Sequence, residues 1–121
     1  MHVTPLVVKA TNTILYCQHW AETVAFYRDI LKFPITYSSA WFVEFHLGAE
    51  SHLSVANEAH ATIKSSGGQG ITITLKVDSA AEVWAWLQKQ NVTLGPLQDH
   101  AWGATVFYFY DPEGHRLEVW S

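Results

Sequence analysis

The sequence predicts an α+β fold built from two tandem βαβββ modules, and three observations predict it. A strand-then-helix pattern occurs twice, the two copies superpose at a fixed spacing, and a polar Gly/Ser-rich stretch separates them. The first strand is Thr13–Cys17, with a helix following over Trp20–Leu31. The second strand is Ile71–Val77, with a helix over Ala80–Gln90. A shift of 60 positions lays Ala21-Glu22 on Ala81-Glu82, Ala25 on Ala85 and Phe26 on Trp86. Apolar residues recur at helical spacing: Val24, Tyr27, Ile30 and Leu31, then Val83, Trp86 and Leu87. Ser79-x-x-Glu82 reads as a capping box, and His19-x-x-Glu22 stands at the same place in the first copy.

Alternating, β-rich sequence follows each helix: Ile35–Tyr37, Trp41–Leu47 and His52–Val55, then Val92–Leu94, Thr105–Tyr110 and Arg116–Trp120. The closing strands match at a shift of 64, Leu53-Ser54-Val55 lying on Leu117-Glu118-Val119. Asp111-Pro112-Glu113-Gly114 is a turn, since Pro fixes φ and Gly accepts the left-handed position that closes a hairpin. Module one therefore runs from about residue 10 to 57, the linker from 58 to 70, and module two from 71 to 120, within one domain of 121 residues.

Composition narrows the class of protein. Apolar residues make up 49% and charged residues 15%, which excludes a disordered chain. Net charge is -4 and the basic residues are scattered, so no nucleic-acid partner is expected. No apolar run has the length of a membrane span, and the first nine residues lack the pattern of a leader. The single cysteine, Cys17, permits no intrachain disulfide, and a cytoplasmic location is the expectation. The aromatic share of 14% exceeds what a core this small can bury, which points to a ring-lined binding surface or a subunit contact. Trp84 and Trp86, two apart on a helix, cannot share a face, so one of them is expected at the surface.

Period-two counting assigns the strand faces. Ile71, Ile73, Leu75 and Val77 form the row beneath the second helix, while Leu53, Val55, Leu117 and Val119 face the helices from the closing strands. The opposite face then carries Asn12, Tyr16, Ser54, Thr72, Thr74, Glu118 and Trp120, polar spots among rings as in a small-molecule site. Trp102, in the loop Gln98–Gly103, can reach the same face, as can His100. His46 and His52 flank a hairpin and can meet across it.

Ala25-Phe26-Tyr27-Arg28-Asp29-Ile30-Leu31, the segment from Phe109 to Val119, and the βαβββ duplication together give a chain that resembles the vicinal-oxygen-chelate superfamily. That group contains glyoxalase I, bleomycin-resistance proteins and extradiol dioxygenases. The resemblance covers residues from about 10 to 121. It implies two strongly curved mixed sheets that form a cleft with the helices outside, and pairing of modules within a chain or across a homodimer. It also implies a divalent metal held by one residue from the first and one from the last strand of each module. Those positions fall on Asn12, Ser54, Thr72 and Glu118, and Glu118 alone is a ligand of the usual His, Gln or Glu type. No metal or other cofactor is therefore expected at that place. The expected function is binding of a hydrophobic or aromatic metabolite or drug in the sheet cleft, with Glu118 making the ligand neutral or cationic. The alternative is a lyase, isomerase or dioxygenase-type enzyme in which Glu118 is the catalytic base or the remaining metal ligand. For Glu118 itself, pairing with Arg116 or Lys76 is the structural reading.

Overall fold

The computed structural model describes residues 4–121; Met1 to Val3, the start of the stretch read for a leader, lie outside the described residues. The chain divides into two compact units between Ser65 and Ser66. The first contains strand β1 (Thr11–Cys17), helix α1 (Trp20–Ala25), β2 (Ile35–Ser38), β3 (Phe42–Gly48) and β4 (Ser51–Asn57). The second contains β5 (Thr72–Lys76), α2 (Ala80–Gln88), a short β6 (Gln98–Asp99), β7 (Thr105–Tyr110) and β8 (Arg116–Trp120). Each unit is one four-stranded mixed sheet, ordered β1-β4-β3-β2 and β5-β8-β7-β6. This is the α+β, tandem βαβββ architecture that the sequence predicts.

In both sheets the first strand runs parallel to the last, while the remaining neighbours are antiparallel. Parallel pairing demands a long connection, and the helix and two strands between supply it. Register explains the two different shifts seen in the sequence. Ile14 faces Ser54 and Thr74 faces Glu118 across the parallel pairs, while Glu44 faces Ser54 and Tyr108 faces Glu118 across the antiparallel ones. First strands thus correspond at 60 and last strands at 64, so the second unit holds four more residues between its first and last strands.

Each sheet turns one face to its helix. In the first unit Leu15, Cys17, Val43, Phe45, Leu53 and Val55 are buried there with Val24, Phe26 and Tyr27 from the helical segment. Tyr27 is the hub, its ring 5.9 Å from Phe45 and 6.5 Å from Phe33. In the second unit Phe107 and Phe109 stack at 5.8 Å, and Leu117, Val119, Ala80 and Leu87 are buried with them. Burying such side chains contributes roughly 1.5–3 kcal/mol each.

Several local expectations change. The first helix is α-helical only to Ala25 and continues over Phe26–Ile30 as a π-helical turn, with the Leu31 N–H bonded to the Phe26 carbonyl. Its capping residue, His19, makes no side-chain cap and instead lies 3.4 Å from the Glu22 carboxylate; an imidazole is a poor substitute for a short hydroxyl. The second helix is capped as expected, Ser79 accepting from the Glu82 N–H. Val92–Leu94 forms no strand: Leu94 makes a single bridge to Phe109, and β6 pairs four residues later. Trp84 turns inward and donates from Nε1 to the Gly95 carbonyl, leaving Trp86 exposed. The stretch after β4 is tied to itself, for Lys64 Nζ donates to the carbonyls of Glu58 and Ala61, and the Ser65 N–H donates to the Glu58 carboxylate.

The turn between β7 and β8 is the most tightly built segment. Asp111 Oδ1 accepts from the N–H groups of Glu113, Gly114 and His115 at 3.0 Å each, and Oδ2 meets His115 Nδ1 at 2.8 Å. Both side chains are buried. Gly114 has φ of 102°, and a Cβ there would stand 2.5 Å from the Gly67 carbonyl oxygen, so the position requires glycine twice over.

Candidate functional site

Residues that face away from the helix in each sheet are those paired in register with the predicted ones. In the second unit Thr72 lies opposite Arg116, Thr74 opposite Glu118 and Lys76 opposite Trp120; from the other side Val106, Tyr108 and Tyr110 face Trp120, Glu118 and Arg116. Glu118 sits at the centre. Its carboxylate accepts from the Thr74 hydroxyl at 2.5 Å and from the Tyr108 phenol. That bond, with burial and the nearby negative charge, raises the Tyr108 pKa above the ordinary phenol value of 10.0, while the Arg116 cation works against the rise. Tyr108 therefore stays a donor at any physiological pH.

Arg116 and Lys76 do not pair with Glu118. Arg116 donates from Nε to the Thr72 hydroxyl at 3.0 Å and lies over the Tyr108 ring, 4.6 Å from its centroid. Lys76 Nζ lies 5.1 Å from the centroid of Trp120. Each cation thus rests on a ring rather than on the carboxylate, which two hydroxyls already occupy. The expected ion pair is absent among the described residues for a geometric reason: Arg116 lies in register with Thr72 and Tyr110, one row away from Glu118.

The rings at the end of this face form a group. Trp102, 69% exposed, meets Trp120 edge-on at 6.2 Å and stacks on His100 at 5.6 Å. The loop that carries them is held by two backbone bonds, the His100 N–H donating to the Ala104 carbonyl and the Gly103 N–H to the His100 carbonyl. Thr72, Thr74, Glu118 and Trp120 are accordingly on one side of one sheet, as counting by two requires, and Trp102 meets Trp120 from the loop.

In the first unit the corresponding face carries Asn12, Ile14, Tyr16, Phe42, Glu44, His46, His52, Ser54 and Ala56. Asn12 and Ser54 meet directly, the hydroxyl donating to Asn12 Oδ1 at 2.8 Å, and Ser54 is fully buried. Asn12 Nδ2 donates to Glu44 at 3.4 Å, and Thr36 donates to the same carboxylate at 2.7 Å. Glu44 is the central charge here, and sequence reasoning passed over it. The signal was available: Glu44 interrupts an apolar strand between Phe42 and His46, all three at one parity. Tyr108, on a middle strand, is not among the predicted site residues, whereas counting by two does put Arg116 on the second unit's face, where the sequence suggests it only as a partner for Glu118. His46 and His52, directly opposite in register, bring their rings to 5.3 Å, with His46 Nε2 2.6 Å from the Ala49 carbonyl. A shallow groove elsewhere in this unit, lined by Val8, Lys9, Ala10, Thr11, Glu50 and Ser51, contains none of the predicted site residues.

A family model described as Glyoxalase/Bleomycin resistance protein/Dioxygenase superfamily matches residues 6–119. The chain belongs to that superfamily. No curated protein matches it significantly. Among solved structures it is similar to a lactoylglutathione lyase from Agrobacterium tumefaciens, at TM-score 0.75 and 20% identity over 97% of this chain and 94% of that one. It is likewise similar to a superfamily member from Nocardioides, at 0.77 and 19% over 98% and 85%. A third is TnmS3, an antibiotic binding protein from Streptomyces sp. CB03234, at 0.75 and 16% over 94% and 95%. Similarity at this level of identity establishes the shared fold. Among the described residues no helix is long and apolar enough to cross a membrane, and no three His, Cys, Asp or Glu side chains converge as a metal site.

Proposed function

We propose that this superfamily member binds an aromatic or hydrophobic small molecule on the ring-bearing face of its second unit, without a metal at the four positions the superfamily uses. The observation that carries the reading is the exposed Trp102, set edge-on against Trp120 at the end of a face whose centre is polar. Rings held this way offer stacking area at little entropic cost, and Glu118, Thr72 and Thr74 supply polar fixings. An antibiotic binding protein among the structures of this fold agrees with such a use.

The donor set supports the metal-free part. Asn12 has its carbonyl oxygen on Ser54 and its amide on Glu44, and Ser54 is sealed from solvent. The Thr72 oxygen accepts from a guanidinium, which would place a fixed positive charge against any cation bound there. Glu118 is engaged by two hydroxyls. One carboxylate with an amide and two neutral hydroxyls does not fit a transition ion. A catalytic role for Glu118 gains less support, since its carboxylate already accepts from the Thr74 and Tyr108 hydroxyls. The exposed Trp86 and the family's habit of pairing modules favour a homodimer, and the lone buried Cys17 favours a reducing, cytoplasmic setting.

Calorimetric titration with 4-phenylphenol tests the reading. Binding in the micromolar range is expected, and Trp102→Ala should weaken it about fivefold, in line with ~1 kcal/mol for a well-placed ring contact. No heat up to the solubility limit, or equal affinity in Trp102→Ala, would overturn it.

A further inference from the structure

The same face carries a charge pattern that specifies the ligand further. Two cations and one anion lie on it, Lys76, Arg116 and Glu118, although the chain as a whole is acidic at -4. In most folded proteins a carboxylate so placed would neutralise one of its neighbours. Here it does not, because Thr74 and Tyr108 donate to Glu118, and both cations are left without a carboxylate among the described residues.

Arg116 is also held still. Its backbone lies in β8, its Nε is fixed on the Thr72 hydroxyl, and its guanidinium carbon lies over the Tyr108 ring. With Nε committed, the terminal nitrogens remain as a planar fork on an exposed side chain. A guanidinium stacked on a ring is weakly hydrated and already oriented, so less entropy is lost when it takes up a two-oxygen anion. It stands on Thr72, one of the positions that would hold the superfamily's metal. Its guanidinium brings a fixed positive charge to that position.

We infer that Arg116 is an anion-binding residue and that the ligand is an elongated aromatic carboxylate. Its carboxylate sits on the Arg116 fork, and its rings run along β8 toward Trp120 and Trp102. Lys76 adds positive potential at the far end. Arg116 and Trp120 are four residues apart on one strand, roughly 13 Å. A body of two linked or fused rings spans that distance, and a single ring does not. This inference rests on the proposed aromatic-ligand reading, and it replaces the neutral or cationic ligand that the acidic composition suggests.

The test is a matched series at neutral pH and low salt: biphenyl-4-carboxylate, neutral 4-phenylphenol and cationic 4-phenylbenzylamine, each titrated calorimetrically into wild type, Arg116→Gln and Arg116→Lys. The carboxylate should bind about tenfold tighter than the phenol, as a charge-assisted two-point contact allows, and the amine weakest. Arg116→Gln should remove that advantage, so that the carboxylate binds no tighter than 4-phenylphenol within the variant, and Arg116→Lys should restore part of it. Equal affinities across the series, tighter binding of the amine, or an advantage that survives Arg116→Gln would overturn the inference and leave the aromatic reading standing. Failure of all three compounds to bind would overturn both.

Discussion

The two units present the same cross-strand pair with its chemistry exchanged. In the first, the carboxylate is on the middle strand and the hydroxyl on the last, Glu44 opposite Ser54; in the second, the hydroxyl is on the middle strand and the carboxylate on the last, Tyr108 opposite Glu118. One scaffold thus places a negative charge at the centre of each helix-free face by two different routes. What differs is the surroundings. Glu44 is held by an amide and a hydroxyl with no Lys or Arg at the matching positions, whereas Glu118 is bracketed by two cations resting on rings. The duplicated backbone conserves where a side chain points and leaves open what it does.

The hairpins that end these strand pairs differ more sharply, and there the largest effect is expected. The second unit closes on Asp111, which satisfies three backbone N–H groups and the buried His115. At the matching place in the first unit stands Leu47, and that hairpin turns through Ala49 in the left-handed region, φ 47°. Asp111→Ala removes the side-chain acceptor of the buried Glu113 and His115 N–H groups and of the His115 imidazole, while the Gly114 N–H keeps the Asp111 backbone carbonyl, and should cost about 3 kcal/mol or more. Glu44→Gln, which removes a charge from the equivalent sheet but keeps its hydrogen-bonding capacity, should cost less than ~1 kcal/mol. Urea unfolding followed by circular dichroism measures both. Equal losses would mean that the turn is no staple.

Much of this contrast was legible in the sequence. Alternation assigned the faces of β1, β4, β5 and β8 correctly, because a half-buried strand cannot slip by one residue without exposing its apolar row. Asp111-Pro112-Glu113-Gly114 was readable as a turn, yet the buried Asp111–His115 contact was not, since turn chemistry concerns backbone and this contact closes over the turn. The same counting puts Arg116 on the helix-free face and extends to Glu44 and Tyr108 on the middle strands. Which partner Glu118 takes could not: whether a carboxylate meets Arg116 or Tyr108 is decided by rotamers and register across three strands, and sequence spacing favoured the nearer cation wrongly.

The exchanged pair also separates the units by pH. The hydrogen bond to Glu118 raises the Tyr108 pKa, with burial and the carboxylate's charge adding to the rise. The folded value lies above the unfolded one, so the associated stabilisation is fully present below the ordinary phenol pKa of 10.0 and is lost as pH climbs through the folded value. Phenolate absorbance, read as the difference from Tyr108→Phe, should show Tyr108 titrating above the ordinary phenol value. Glu118→Gln should bring it back toward that value, since the principal cause and the repelling charge go while Arg116 remains. The same titration in Glu44→Gln should be unchanged. A Tyr108 titration that stays high in Glu118→Gln would disconnect Tyr108 from Glu118.

The smallest effect tests the weaker hairpin and should have the opposite sign. Ala49 adopts φ 47°, where its Cβ crowds the following carbonyl, and its own carbonyl is fixed by the His46 ring. Glycine relieves that crowding but adds freedom to the unfolded chain, so Ala49→Gly should stabilise by only about 0.5 kcal/mol. Gly114→Ala makes the reverse change at the turn of the second unit, and there the new Cβ meets the Gly67 carbonyl oxygen as well as a strained φ. A small gain from Ala49→Gly beside a large loss from Gly114→Ala would show that both positions favour glycine, under unequal constraint. If Ala49→Gly destabilises instead, the left-handed turn is held by the His46 contact strongly enough to outweigh its strain.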